Sequence, residues 1–244
     1  MSEFFVGYAK TPARTKRFAL CVGATVVLGL AVIGAMVGAN QRRAGTATWN
    51  LADVVELEGV LHTRPYGMLH QRREGRVVTT LLVEDGKRGL RPSAQSLHGA
   101  WVRIRGTRLF RASEDMLALV GSDDAVLSIP GDVFAVPERE LGRVELTGRA
   151  VDSKCFLGAM KPGDGAGHRP CAQLCIRGGI PPVLVSDDPE HPYVLIASAQ
   201  GEAVPVERIL PLVAVEHRYQ GRLRRVGGLE ILGWNEPSRD VNPE

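Results

Sequence analysis

The chain has 244 residues, 44% hydrophobic and 23% charged, with 30 basic and 27 acidic side chains and a net charge of +3. That composition excludes wholesale disorder, and so small a basic excess excludes the charge footprint of a nucleic-acid binder. Aromatic residues make up only 5%, so the cores must be assembled mainly from Val, Leu, Ile and Ala.

The first element is the run Phe18–Ala39, FALCVGATVVLGLAVIGAMVGA, which holds neither a charge nor a proline. As a helix it rises about 33 Å, enough to cross the hydrocarbon of a bilayer. Lys10, Arg14, Lys16 and Arg17 precede it, and Arg42 and Arg43 follow. The more basic N-terminal flank predicts a cytoplasmic tail at residues 1–17 and an exported C-terminal part. The expected location is therefore the inner (cytoplasmic) membrane. The chain would pass once, touch membrane lipid through one helix and keep its soluble part periplasmic or extracytoplasmic. A cleaved signal peptide is the rival, because AMVGAN offers small residues. The apolar run nevertheless exceeds the usual h-region of about 7–15 residues, and a retained anchor is the reading.

After a polar linker at 40–50 the texture turns to short β-like runs: VVELEGVL at Val54–Leu61, VVTTLLV at Val77–Val83, AWVRIRGTRLF at Ala100–Phe110 and MLALV at Met116–Val120. Strands at this spacing predict a small barrel or sandwich. They also recur. Val55–Gly59 (VELEG) reappears as Val144–Gly148 (VELTG), 89 positions on (144 − 55). Leu82–Asp85 matches Leu184–Asp187, 102 positions on (184 − 82), and Gly106 matches Gly221, 115 on (221 − 106). The offset grows in steps, so the second copy carries insertions, the first of them after its first strand. Five short strands, with a glycine midway in the first and a long excursion after it, resemble the OB-fold. The expected fold is mainly β: one transmembrane helix, then two small OB-like barrels. The first occupies 51–128, a linker 129–142, and the second 143–234 with the inserted loop 152–181; residues 235–244 form a tail.

That inserted loop, DSKCFLGAMKPGDGAGHRPCAQLCIRGGIPP, collects three of the four cysteines. The spacing is Cys155-x12-His168-x2-Cys171-x3-Cys175. No helix breaker separates Cys171 from Cys175, so the spacing predicts both on one helical face, with Gly178 as C-cap and Pro181 and Pro182 ending the element. Three readings stand open. A structural disulfide would join Cys155 to Cys171 or Cys175 and leave one thiol over. Three thiolates and an imidazole make a tetrahedral zinc site, and with Met160 as an additional soft ligand they also suit copper. Thiol redox chemistry is the third. For the disulfide or the metal, Cys155 must come next to Cys171 or Cys175. The remaining histidines, among them His62, His70 and His98, read as scattered solvated side chains. Arg103, Arg105, Arg108 and Arg111 read as a solvated basic strand face.

The cassette K-C-x-L-G-x-M-K-P-G…H-R-x-C-A-x-L-C-I-x-G-G-I-P-P resembles one found in a group of membrane-anchored bacterial proteins without an established activity. The resemblance supports the cassette as a unit and transfers no chemistry. The C-x3-C pair is similar to that of Sco-type copper chaperones and binuclear copper domains. No paired-carboxylate or Ser/His/Asp signature points to an enzyme. The expected function is a non-catalytic accessory, assembly or scaffold subunit of a membrane redox or energy-converting complex, with other membrane-protein subunits as partners. The alternative is a metal-handling (Zn or Cu) or thiol-redox protein built on Cys155, His168, Cys171 and Cys175.

Overall fold

The computed structural model describes residues 12–40, 47–112, 114–120 and 125–235. Most of the expected tail at 1–17, most of the linker at 40–50 and the C-terminal tail after Asn235 lie outside the described residues. The chain divides into two compact units, Met1–Arg43 and Ala44–Glu244.

In the first unit a single helix, α1, runs Ala13–Asn40. It begins five residues before Phe18 and so takes Arg14, Lys16 and Arg17 into its first turns. It is long and apolar enough to cross a membrane, a property that a signal sequence near an N-terminus shares.

The second unit is built of two closed strand rings. In the first, β1 (Thr48–His62), β2 (Met68–Arg73), β3 (Arg76–Val83), β4 (Trp101–Arg111) and β5 (Glu114–Leu119) pair in the order β1-β2-β3-β5-β4, and β4 returns to β1; the short β6 (Val126–Ser128) adds to β4. The second ring repeats this with β7 (Glu138–Asp152), β8 (Pro182–Ser186), β9 (Tyr193–Ser198), β10 (Glu216–Val226) and β11 (Leu229–Trp234). In each ring one pair is parallel, β3 with β5 and β9 with β11, and the other ring pairings are antiparallel. Corresponding strands match in length: β1 and β7 have 15 residues, β4 and β10 have 11, β5 and β11 have 6. Strand therefore reaches back into both stretches that read as linkers, to Thr48 and to Glu138. The repeated glycines Gly59 and Gly148 occupy equivalent close approaches. A Cβ on either would collide with the neighbouring strand's carbonyl, that of His70 or of Val185.

Each barrel has its own interior. Leu61, Leu69, Leu82, Ile104, Leu117 and Leu119 fill the first. Leu146, Leu184, Val194, Ile196, Tyr219 and Leu232 fill the second. A third core lies between them: Met68, Leu81, Val83, Met116 and Ala118 of the first barrel pack with Tyr193, Leu195, Ala197, Leu229 and Ile231 of the second. Along β3, Leu81 and Val83 face the junction while Leu82 faces the barrel interior, and all three are buried. Over its last residues β3 is covered on both sides, so Leu81, Leu82 and Val83 follow one another without a polar alternate. Each large side chain in this seam contributes about 1.5–3 kcal/mol relative to exposure, so the barrels form one body. The inserted segment does not stand away from the second barrel. Cys155, Phe156, Leu157, Cys175 and Ile180 belong to the shared core, because a glycine-rich loop of this length gains its order by wedging apolar residues into the seam.

Candidate metal and thiol site

The site grows from the end of β7. Asp152, its last residue, is fully buried and accepts two hydrogen bonds: from the Cys155 backbone N–H at 2.8 Å and from Nε2–H of His168 at 3.1 Å. The first holds the π turn Cys155–Ala159 in place; the second orients the imidazole. Helix α2 runs Arg169–Arg177 with Pro170 in its first turn, and ends at Gly178, the C-cap that the sequence predicts. One side of α2 sends Ala172 and Ile176 into the second barrel, while Cys175 enters the seam. Gln173 Nε2 and the Arg169 guanidinium fasten the helix to the carbonyls of Leu210 and Pro211, at 3.0 and 2.8 Å.

These elements bring the four sequence-predicted ligands together. Ligand atoms of Cys155, His168 and Cys171 lie within 4.8 Å of one another, and so do those of Asp152, Cys155 and Cys175. Cys155 is the member common to both sets, so it is next to each of its two expected partners. All four cysteines of the chain are free, which corrects the disulfide reading: Cys155 is held by Asp152 and the seam rather than by a covalent staple. Met160 lies at the end of the Cys155 turn and is 47% exposed, at the surface rather than in the seam with Cys155 and Cys175. Cys21 sits in α1.

Two lysines complete the surroundings, one of them from the first barrel. Lys87, in the loop after β3, donates to Sγ of Cys171 at 2.8 Å and to Sγ of Cys175 at 3.6 Å. Lys154 is buried and donates to the carbonyls of Glu84 and Gly86, both at 2.9 Å, tying the turn to the same loop. The loop and the cassette also meet backbone to backbone. Gly89 N–H donates to Gly178 O at 2.9 Å, and a Cβ on Gly178 would collide with the carbonyl of Lys87. An open cavity of about 850 Å³ flanks this contact, lined by Tyr66, Arg88, Arg91 and Gly179 among others; no cysteine lines it.

The electrostatics separate the thiols. The Cys155 thiol donates to Cys175 and is itself buried beside Asp152, so its pKa is pushed far up. Cys175, which receives that hydrogen bond and faces Lys87, is pulled below the ordinary thiol value against the opposing effect of burial. Contact with Cys171 raises Lys87 to about 12. Burial lowers Lys154, partly offset by Asp85 and the nearby thiols.

Asp152, Lys87 and Lys154 were not singled out as site residues in the sequence. Asp152 carries a faint signal, an acid three residues before Cys155 just after Ala150 and Val151. Lys87 carries none, since it reaches Cys171 from 84 positions away. The scattered-histidine reading is corrected as well. His62 lies 4.5 Å from His70 and 5.1 Å from His98, ring centre to ring centre, and His70 is fully buried. The pairing of β1 with β2 sets His62 against that strand. Nor is the arginine strand one solvated face: Arg103 pairs with Glu58 at 2.8 Å, Arg108 with Asp115 at 2.9 Å, and Arg111 lies 3.9 Å over the Phe156 ring. Among known proteins, no family model matches this chain, and no curated protein or solved structure matches it.

Proposed function

We propose that this chain is a membrane-anchored metal-binding protein whose centre is formed by Cys155, His168, Cys171 and Cys175, with zinc(II) or copper(I) as the ion. The supporting observation is the clustering itself: Cys155 with His168 and Cys171, and Cys155 with Asp152 and Cys175, form two overlapping sets whose ligand atoms lie within 4.8 Å of one another. Zinc suits the complete N/S tetrahedron, and copper(I) suits the soft sulfurs. Asp152 behind the imidazole is the outer carboxylate that metal-bound histidines commonly use to fix their orientation. Lys87 and Lys154 offset the negative charge that two or three thiolates bring with them.

Elemental analysis of the full chain purified in detergent, with a parallel thiol count, tests this. One zinc or copper per chain is expected, with Cys155, Cys171 and Cys175 unreactive until a chelator is added. Metal-free protein whose cassette thiols react at once, or two of whose cysteines are oxidised, would overturn the proposal.

The wider expectation continues as part of the same proposal: an anchored, non-catalytic accessory subunit, single-pass in the inner membrane with its barrels on the outer side. Lys10, Arg14, Lys16 and Arg17, ahead of the apolar run Phe18–Ala39, support that orientation. A phosphatase fused to the C-terminus should be active; activity of a cytoplasmic reporter at the same place would reverse the topology.

A further inference from the structure

Lys87 and Cys171 meet across the seam more closely than a hydrogen bond to sulfur requires. Their 2.8 Å separation falls in the range of N–H···O bonds, about 2.7–3.2 Å, although sulfur is the larger atom. The backbone holds the approach. Gly89 N–H to Gly178 O, and the carbonyl of Lys87 packed on the bare Cα of Gly178, fix the stem of the lysine against the C-terminal end of α2. Of the three cassette thiols Cys171 alone is half-buried, while Cys155 and Cys175 are buried, so Cys171 is the one a small solute reaches. Lys87 is exposed.

We propose that Lys87 and Cys171 are a modification site, at which dioxygen joins them through a single oxygen atom into an S–O–N cross-link between the two barrels. In either proton arrangement, ammonium with thiolate or amine with thiol, the pair carries three hydrogens. Dioxygen takes four electrons, two from sulfur and two from nitrogen. One oxygen atom stays in the bridge between Sγ and Nζ, the other leaves as water with two of the hydrogens, and the third hydrogen remains on nitrogen. The product is heavier by about 14 Da, a change distinct from the other steps of thiol oxidation. The cross-link needs no metal. Where the metal reading also holds, bridging removes Cys171 from the ligand set, so oxygen and metal compete for one sulfur.

The test uses the full chain in detergent, stripped with a chelator under anaerobic conditions and then exposed to air-saturated buffer. Intact mass should rise by about 14 Da, and digestion should yield one peptide pair joined through Lys87 and Cys171, released by dithiothreitol. Lys87→Arg and Cys171→Ser should both abolish the shift, while His168→Ala should keep it. A loss of about 2 Da would mean a disulfide, and gains of about 16 or 32 Da on Cys171 alone would mean simple oxidation. Either result, an unchanged mass, or a shift of about 14 Da that survives Lys87→Arg would overturn the proposal. Metal content is measured separately, so failure of one reading leaves the other standing.

Discussion

Cys155→Ser and His168→Ala should each lower metal affinity by roughly two orders of magnitude, while Cys21→Ser should leave it unchanged. A structural zinc site is worth about 10–16 kcal/mol in apparent terms, so one ligand of four carries roughly 3 kcal/mol, about a 150-fold change in affinity. Cys155 belongs to both ligand sets, and its replacement withdraws a sulfur from each. Removing the imidazole of His168 takes away the nitrogen ligand and also strips Asp152, buried at the end of β7, of one of its two hydrogen bonds. Competition titration with a chromophoric chelator reads both variants. The pattern separates two chemistries. In a thiol-redox site the serine variant loses function and the alanine variant keeps most of it, because thiol–disulfide exchange needs the sulfurs and not the imidazole. Comparable losses therefore speak for metal, and an unchanged affinity in either variant removes that residue from the ligand set.

Acid should loosen the first barrel through His70. Its pKa is lowered to about 3, first by burial and then by the charge of His62. Thr79 explains the neutral form. Its hydroxyl donates to Val226 O at 3.3 Å and so accepts from Nδ1–H of His70 at 3.0 Å, leaving Nε2 buried without a hydrogen-bond partner. The titratable groups ranged around it are His62, with its own pKa lowered by burial and His98, then His98 itself, and Glu138, whose charge acts on His62 in the opposite sense. The unfolded chain takes up its proton near pH 6.5 and the folded chain only near pH 3, so stability is complete above about 6.5 and drains away as pH falls between those limits. By about pH 4.5 the loss from His70 alone is roughly 2–3 kcal/mol, at about 1.36 kcal/mol per unit. Urea midpoints at about pH 7.5 and 4.5 measure it. His70→Gln, although less stable throughout, should show a difference between the two conditions smaller by about that amount. An identical difference in variant and parent would assign the acid sensitivity elsewhere.

Much of this architecture is legible in the sequence because its signals are local or periodic. VELEG and VELTG mark the first strand of each barrel, and the paired glycines Gly59 and Gly148 fall where a neighbouring carbonyl leaves no room for a side chain. Cys171 and Cys175 fall on one helix because nothing between them breaks it and Gly178 caps its end. What stayed hidden depends on partners distant along the chain. An apolar run such as Leu81–Val83 does not say what covers it, so neither the seam between the barrels nor the burial of the inserted segment within it is legible. The same blindness conceals Lys87, which looks like a loop lysine until the fold carries it to Cys171. It also conceals His62, His70 and His98, whose positions carry no common spacing; strand pairing and a returning loop assemble them.

The facing parallel pairs impose a timetable on synthesis. Leu81 on β3 is made 150 residues (231 − 81) before Ile231 on β11, which shares its core. At about 5–20 residues per second the ribosome takes roughly 8–30 s to supply that cover. For that interval the completed first barrel carries an apolar outer wall with no mate. The nascent chain is therefore open during that interval to holding factors or to a neighbouring copy offering the same wall.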